Sequence, residues 1–203
     1  SLPAGYVKRG TVNITKNPGL FILLNLLGVV VLLAAGALFI QLGYALRPDD
    51  MDALLLDLSM GFDLLPGLLM LLAILLVMVV VHEAIHGFFF WWFTRARPAF
   101  GVGAGYAYAS APGWHLPRNQ YLVVGLAPLV VISLVGLLLV AVGPSAWLPA
   151  LLAVMVSNAS GAVGDLAVVV WLLTLPRETL ASDDGDAVSV YVPGQKEKAP
   201  KPG

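Results

Sequence analysis

The sequence predicts an all-α integral membrane protein with four transmembrane helices and a short hairpin or re-entrant loop between the second and third helices. Hydrophobic residues form 59% of the 203 residues and charged residues only 11%. A soluble domain of this size could not bury so much apolar surface. Four apolar segments also exceed the roughly 20 residues that cross a bilayer. The net charge of −1 gives no indication of a nucleic-acid partner.

The four predicted spans contain almost no charge. They cover residues 20–46, 64–94, 121–142 and 147–175. Helices are expected, because backbone groups in hydrocarbon must find partners within their own segment. The second span is long enough to tilt or to extend beyond the bilayer, and Pro128 is expected to kink the third. The only charged residues within the spans are Glu83 in the second and Asp165 in the fourth.

Basic residues indicate the orientation of the chain. If both termini are cytoplasmic, all of the eleven Lys and Arg residues except Arg47 lie on the cytoplasmic side. This predicts a cytoplasmic tail over residues 1–19, a four-helix transmembrane domain over 20–175, and a polar cytoplasmic tail over 176–203, which we expect to be disordered. The plasma membrane of a prokaryote is the expected location. No signal peptide is expected, because the first apolar run is long and lacks a cleavage site.

An H-E-x-x-H motif lies within the second span, from His82 to His86. Residues four apart on a helix lie on the same face, about 6 Å apart along the axis. Two imidazoles at this spacing can therefore bind one tetrahedral zinc ion. Glu83 follows the first histidine, where its carboxylate can act as general base and acid on a metal-bound water.

A chance occurrence is the structural alternative for such a short motif. Two of the three histidines in the chain form the pair, however. An ionised acidic residue in hydrocarbon also costs roughly 2.5–3.5 kcal/mol on insertion scales. The position of Glu83 within an apolar span therefore favours a functional interpretation.

A catalytic zinc ion usually has three protein ligands and one open position. The chain has no cysteine, and position 92, where a third histidine would follow the motif, is Trp92. The remaining candidates are His115 and Asp165. Counting back from the cytoplasmic end of each span at 1.5 Å per residue places His82 and Asp165 at similar depths, about 20 and 18 Å. Asp165 is therefore the expected third ligand, the structural alternative being a lone buried acid.

Asn158 lies seven residues before Asp165, so both side chains are expected on the same face of the fourth span. The intervening residues are almost all small, which allows close helix packing. Asn158 could contact the substrate or an oxyanion, or it could hydrogen-bond a ligand histidine. An Asn that only bridges two helices is an equally good interpretation.

The pattern resembles the site-2 protease group of intramembrane metalloproteases, and more closely a family of small membrane proteins called putative zincin peptidases. Both carry HExxH on one membrane helix and a distant Asp on another. The matching residues here are His82, Glu83, His86 and Asp165. The resemblance covers residues 64–175, although site-2 proteases place the Asp before a Gly, whereas here Gly164 precedes Asp165. It implies cleavage of membrane-embedded or membrane-adjacent peptide segments.

The loop over residues 99–111 is uncharged and rich in glycine, with a weak alternation that favours a hairpin or re-entrant strand. A free strand edge there could bind an extended substrate by strand addition. The alternative is a surface loop whose Tyr106, Tyr108 and Trp114 lie at the headgroups. His115 is expected at the same interface.

The sequence therefore predicts an intramembrane zinc metalloprotease. Its cofactor is Zn²⁺, and its partners are the lipid bilayer and a membrane-protein or peptide substrate. One alternative is a non-enzymatic metal-binding membrane protein, such as a metal carrier or regulator that retains the HExxH fold. Another is a structural membrane protein in which the motif is coincidental.

Overall fold

The computed structural model describes residues 2–13, 16–61, 63–103, 106–185 and 187–194. The helices are α1 (Pro18–Leu46), α2 (Pro48–Met60), α3 (Leu64–Thr94), α4 (Arg118–Val142), α5 (Leu148–Gly161) and α6 (Val163–Leu173), with a 3-10 turn at Ser145–Trp147. The strands are β1 (Tyr6–Val12), β2 (Ala99–Gly103), β3 (Tyr106–Ser110), β4 (Leu116–Pro117), β5 (Leu180–Asp183) and β6 (Val188–Pro193).

Three helices, α1, α3 and α4, are long and apolar enough to cross a membrane. The predicted fourth span is two helices, α5 and α6, which meet at Ala162 with a bend of 43°. Together they make a fourth candidate if the bent pair is one span. Large apolar side chains are exposed along α1 and α3, as is expected of helices that face lipid rather than water.

The helices pack around α3, which contacts α4, α5 and the β2–β3 pair, while α1 packs mainly on α5. One buried cluster joins α1, α4 and α5 through residues such as Phe39, Val140 and Met155. A second cluster joins α3, α4 and α6 to the strands through residues such as Phe90 and Leu172. Both clusters contain buried residues of α4, so this helix links the two ends of the structure.

The chain is mostly helical, as predicted, but it is not all-α. The described residues also include a four-stranded antiparallel sheet in the order β1-β6-β5-β4. This sheet joins the two ends of the chain at one end of the helices, where β1 precedes α1, β4 precedes α4 and β5 follows α6. Ala181 and Val190 are completely buried in the cluster that includes Phe90. The sheet therefore closes one end of the helical bundle.

The structure also differs from the expectation of a disordered tail after residue 176. Residues 180–183 and 188–193 form β5 and β6; residues 186 and 195–203 of that tail lie outside the described part of the chain. Each tail alone offers little apolar surface, but β6 alternates Val188, Val190 and Val192 with polar or aromatic residues. Within the sheet, the adjacent residues Ser189 and Val190 are buried, so β6 is covered in part on both faces.

Strands β2 and β3 form a separate antiparallel pair that packs against α3. The aromatic rings of Tyr106 and Tyr108 lie across the glycines opposite them, Gly103 and Gly101, where a Cβ atom would collide with the rings. Phe100 occupies the space beside Gly87 of α3 in the same way. Gly101 and Gly103 therefore leave room for the tyrosine rings within the pair, and Gly87 allows Phe100 to approach α3 closely.

The segment between α1 and α3 is also more ordered than the sequence indicated, because it contains α2. Proline at its first turn and acidic residues beside it are typical of a helix N-terminus. Arg47 joins Asp50 at 2.6 Å and Ser145 at 2.9 Å, and a hydrogen bond from Ser145 lowers the pKa of Asp50. These contacts attach α2 to the turn between α4 and α5.

Candidate metal centre

The two histidines of the HEAIH motif lie on the buried face of α3. His82 and His86 are each only 7% exposed. Their Nε2 atoms are 3.2 Å apart, as the spacing of one helical turn requires for two side chains that point the same way. The sequence expectation that the pair shares one face is therefore matched by the geometry.

Asp165 reaches the histidines from the first turn of α6. Its Oδ2 lies 3.2 Å from Nε2 of His82, and its Oδ1 lies 3.4 Å from Nε2 of His86. One ligand atom from each of the three residues lies within 4.8 Å of the others. The bend before α6 places a helix N-terminus at this point, and a helix N-terminus stabilises a carboxylate.

The orientation of His86 depends on a proline in another helix. Its Nδ1 lies 2.9 Å from the backbone carbonyl of Val124 in α4. In a regular helix this carbonyl would accept from the N–H of residue 128, but Pro128 has no N–H. The Val124 carbonyl is therefore available to His86.

His82 is held by an amide on α5. Its Nδ1 lies 2.9 Å from Oδ1 of Asn158, and Nδ2 of Asn158 donates to the carbonyl of Pro128 at 3.3 Å. Asn158 is completely buried. Of the roles considered from sequence, the structure places it behind a histidine, where it also links α3, α4 and α5.

These contacts favour one tautomer of each imidazole. A backbone carbonyl only accepts, so Nδ1 of His86 donates a proton to it, and the Asn158 oxygen favours the same arrangement at His82. In this tautomer of a neutral ring, Nε2 has a free lone pair on the side of Asp165. Two such nitrogens and a carboxylate make a donor set that a cation can bind. The nitrogen and oxygen donors suit Zn²⁺, with three protein ligands as in catalytic zinc sites.

Glu83 is half-buried beside the first histidine and lines the same cavity as the three donor residues. The backbone of Ala109 in β3 lies near its carboxyl group. Glu83 is thus close to a strand as well as to its own helix. This contact was not evident from the sequence, because backbone donors leave no pattern in it.

A cavity of about 550 Å³ adjoins the metal-binding group. Its walls come from α1, α3, α4, β3, the region around the α5–α6 bend and the turn after β5. About 29% of the Asp165 side chain is accessible, and this residue lines the cavity. The donor group is therefore reachable by a small molecule or a peptide segment.

His115, the other candidate third ligand, does not belong to this group. Its ring packs against Tyr191 of β6 at a centroid distance of 5.0 Å, and burial lowers its pKa. Three residues near the site were not identified from the sequence. Pro128 was expected only to kink a helix, although a proline four residues after a potential carbonyl acceptor is a signal that could have indicated its effect on His86. Tyr121 and Asp183 also line the cavity.

The profile of a protein family described as "Putative zincin peptidase" matches residues 75–180, just over half of the 203 residues. No curated protein and no solved structure matches the chain. The matched region contains both histidines, Glu83 and Asp165. The family and the His-His-Asp group together suggest a zinc metallopeptidase. On this match, the chain belongs to the putative zincin peptidase family.

Proposed function

We propose that the protein is an intramembrane zinc metalloprotease that hydrolyses peptide bonds of membrane-embedded or membrane-adjacent substrates. The observation that carries this proposal is the convergence of His82, His86 and Asp165 within 4.8 Å, with Glu83 beside them on a shared cavity. The residues come from α3 and from the bent α5–α6 pair, both apolar enough for a membrane. The likeness of the motif to that of site-2 proteases supports the same function.

In this proposal Nε2 of His82, Nε2 of His86 and the Asp165 carboxylate hold the metal. Val124 and Asn158 keep both Nε2 lone pairs directed at it. A zinc ion bound there would polarise the attacking water and the scissile carbonyl. The cavity beside Asp165 would give a substrate access to a metal held by these residues.

In this proposal Glu83 transfers the proton of the attacking water. Its carboxylate accepts a proton from the attacking water and then delivers it to the amine nitrogen of the departing peptide segment. Glu83 and Ala109 line the same cavity, and the Ala109 backbone lies near the carboxylate. A carboxylic acid that is fixed next to the metal ligands can perform both transfers without leaving its position.

The edge of β3 opposite β2 is suited to an extended substrate. Alternate residues of a strand direct their backbone groups to the same edge, so Ala107 shares the orientation of Ala109, whose backbone contacts Glu83. Both residues line the cavity. A peptide added to this edge would present its amides one by one to Glu83, whereas a helical segment keeps its amides in its own hydrogen bonds.

The proposed setting is the plasma membrane of a prokaryote, with both termini in the cytoplasm and no nucleic-acid partner. The distribution of Lys and Arg supports this orientation. The partners are then the bilayer itself and a membrane-protein or peptide substrate. The metal centre lies in the cytoplasmic half of the membrane in this arrangement.

The test uses Glu83→Gln, which keeps the shape of the side chain but cannot accept the proton. Purified wild-type protein and the variant are reconstituted in vesicles with a mixture of single-span membrane proteins, and new peptide termini are detected by mass spectrometry. We expect the variant to bind zinc as the wild type does and to lose cleavage by about 100-fold or more. Unchanged cleavage by the Glu83→Gln variant would contradict the proposed mechanism.

The same experiment separates the enzyme from a metal carrier or regulator. A carrier needs the three ligands but has no need of Glu83. Zinc binding by the wild type without any new peptide termini would therefore favour the non-enzymatic alternative.

Asp57→Asn serves as the matched control for Glu83→Gln, because it makes the same acid-to-amide change at an exposed position of α2, away from the cavity. This control is expected to retain both zinc and cleavage.

A further inference from the structure

One carboxyl group on the cavity wall takes no part in the metal centre. Asp183, the last residue of β5, lines the cavity together with Tyr121 of α4. Its Oδ2 accepts a hydrogen bond of 2.5 Å from the Tyr121 hydroxyl. Its Oδ1 accepts a hydrogen bond of 2.8 Å from the backbone N–H of Gly185. The carboxyl group is thus fixed in one orientation beside the cavity.

This carboxyl group forms no salt bridge with a Lys or Arg side chain in the described part of the chain. Both of its hydrogen-bond donors are neutral, and the cavity wall, over the residues that the structure describes, contains neither Lys nor Arg. Burial raises the pKa of Asp183 accordingly. A cation that entered the cavity would supply the missing compensation, because a buried carboxylate is stabilised most by an opposite charge.

The turn that carries Asp183 is fixed against the strand that contacts Glu83. Gly185 has a φ of +89°, which favours glycine, and a Cβ atom there would collide with the ring of Tyr108 in β3. The turn and β3 are therefore in direct contact on one side of the cavity. A peptide that lies along β3 would pass close to the Asp183 carboxyl group.

We propose that Asp183 is a specificity-determining residue that binds a Lys or Arg side chain of the substrate near the scissile bond. The inference rests on the proposed function, since it assumes that a peptide occupies the cavity. Membrane segments commonly carry basic residues immediately after their apolar stretch on the cytoplasmic side. The sheet that contains Asp183 lies at one end of the helices, which is where such residues of a membrane substrate would be found.

Asp183 also lies outside residues 75–180, the part of the chain that matches the family profile. The family-matched residues supply the metal donors and Glu83, whereas the terminal sheet supplies Asp183 to the wall of the same cavity. The proposed preference for a basic residue therefore depends on a residue outside the matched region.

The test measures binding rather than cleavage, in a Glu83→Gln background that cannot hydrolyse the probe. Pairs of fluorescent peptides with an apolar stretch differ only in one flanking residue, Lys or norleucine, placed at successive positions. We expect the Lys peptide of at least one pair to bind about tenfold more tightly or better. Asp183→Asn, added to this background, is expected to remove the preference and to leave affinity for the norleucine peptide unchanged.

Asp184→Asn is the matched control, because it removes the same charge one residue further along and Asp184 does not line the cavity. It should keep the preference for Lys. Equal affinity for both peptides of every pair, or no binding of any peptide, would overturn the proposal, and so would a preference that survives Asp183→Asn. If Asp183→Asn does not fold, equal affinity for both peptides of every pair in the Glu83→Gln protein would still overturn the proposal.

The outcome is also separable from that of the proposed function. A Lys preference that depends on Asp183, in a protein whose wild type cleaves nothing, would support a peptide-binding cavity without proteolysis. Cleavage that depends on Glu83 but does not depend on basic residues in the substrate would support the proposed proteolysis and refute the role of Asp183.

Discussion

At the scale of single residues, the metal centre depends on groups that are not ligands. Pro128 leaves the Val124 carbonyl without its helical donor, and the same proline's carbonyl accepts from Asn158. One residue in α4 thus influences both histidines. Partners that orient ligand histidines typically change metal affinity by about 10–100-fold when they are removed.

Pro128→Ala is expected to separate stability from metal binding. The new N–H can bond the Val124 carbonyl, so α4 should become more stable while His86 loses its acceptor. We expect zinc affinity to fall about 10–100-fold without a loss of thermal stability. Titration with a competing chelator measures the first quantity and thermal unfolding the second.

Pro149→Ala provides the control for this substitution, since Pro149 lies in the first turn of α5, where a missing N–H breaks no helical bond. Its zinc affinity should equal that of the wild type. If Pro128→Ala binds zinc as tightly as this control, the proposed link between Pro128 and His86 is incorrect.

The sequence was informative about side chains that bear chemistry. The spacing of His82 and His86 and the matching depth of Asp165 led to the same three residues that the structure brings together. The backbone of Ala109 left no signal, because almost any residue type can supply a backbone group, and the Val124 carbonyl was marked only indirectly, by Pro128 four residues later. Sequence reasoning is therefore strong for ligand atoms on side chains and weak for the backbone groups that orient them.

At the scale of elements, the β2–β3 pair sets the distance between β3 and Glu83. Phe100 lies beside Gly87, one residue after the second histidine of the motif. This close approach exists only because residue 87 has no side chain. The β2–β3 pair and the candidate metal centre are therefore coupled through packing on α3.

Gly87→Ala should displace the β2–β3 pair while leaving His82, His86 and Asp165 in place. The added Cβ atom collides with the Phe100 ring, and such overpacking costs about 1–3 kcal/mol. We expect cleavage to fall about tenfold or more and zinc content to stay at the wild-type level. Both are measured on the same purified sample.

Gly36→Ala is the matched substitution, as Gly36 lies within α1 and a Cβ atom there meets nothing within 4 Å. It should leave cleavage unchanged. If Gly87→Ala cleaves substrate as fast as Gly36→Ala, the position of the β2–β3 pair does not affect the reaction.

The elements that sequence analysis missed share a physical cause. Strands β1 and β6 pair across nearly the whole chain, with Thr11 opposite Ser189. The polar composition of the C-terminal tail favoured disorder, and neither tail shows its pairing partner in its own sequence. The long apolar helices needed no such partner to be recognised, because their length alone exceeds what a bilayer requires.

At the scale of the whole molecule, the proposed orientation can be tested cleanly because the chain has no cysteine. A single cysteine at Asp57 or at Glu178, both exposed, reports the side of the membrane. We expect an impermeant maleimide to label Asp57→Cys in intact cells and Glu178→Cys only after permeabilisation. The opposite pattern would reverse the proposed orientation.

The central claim is that His82, His86 and Asp165 bind one zinc ion, and the zinc content of purified protein tests it most directly. We expect about one zinc ion per chain in the wild type and in Glu83→Gln, as three ligands are enough for a catalytic site. His86→Ala and Asp165→Ala should contain far less after the same purification. A wild type that holds no zinc, or an Asp165→Ala variant that holds as much as the wild type, would contradict the claim.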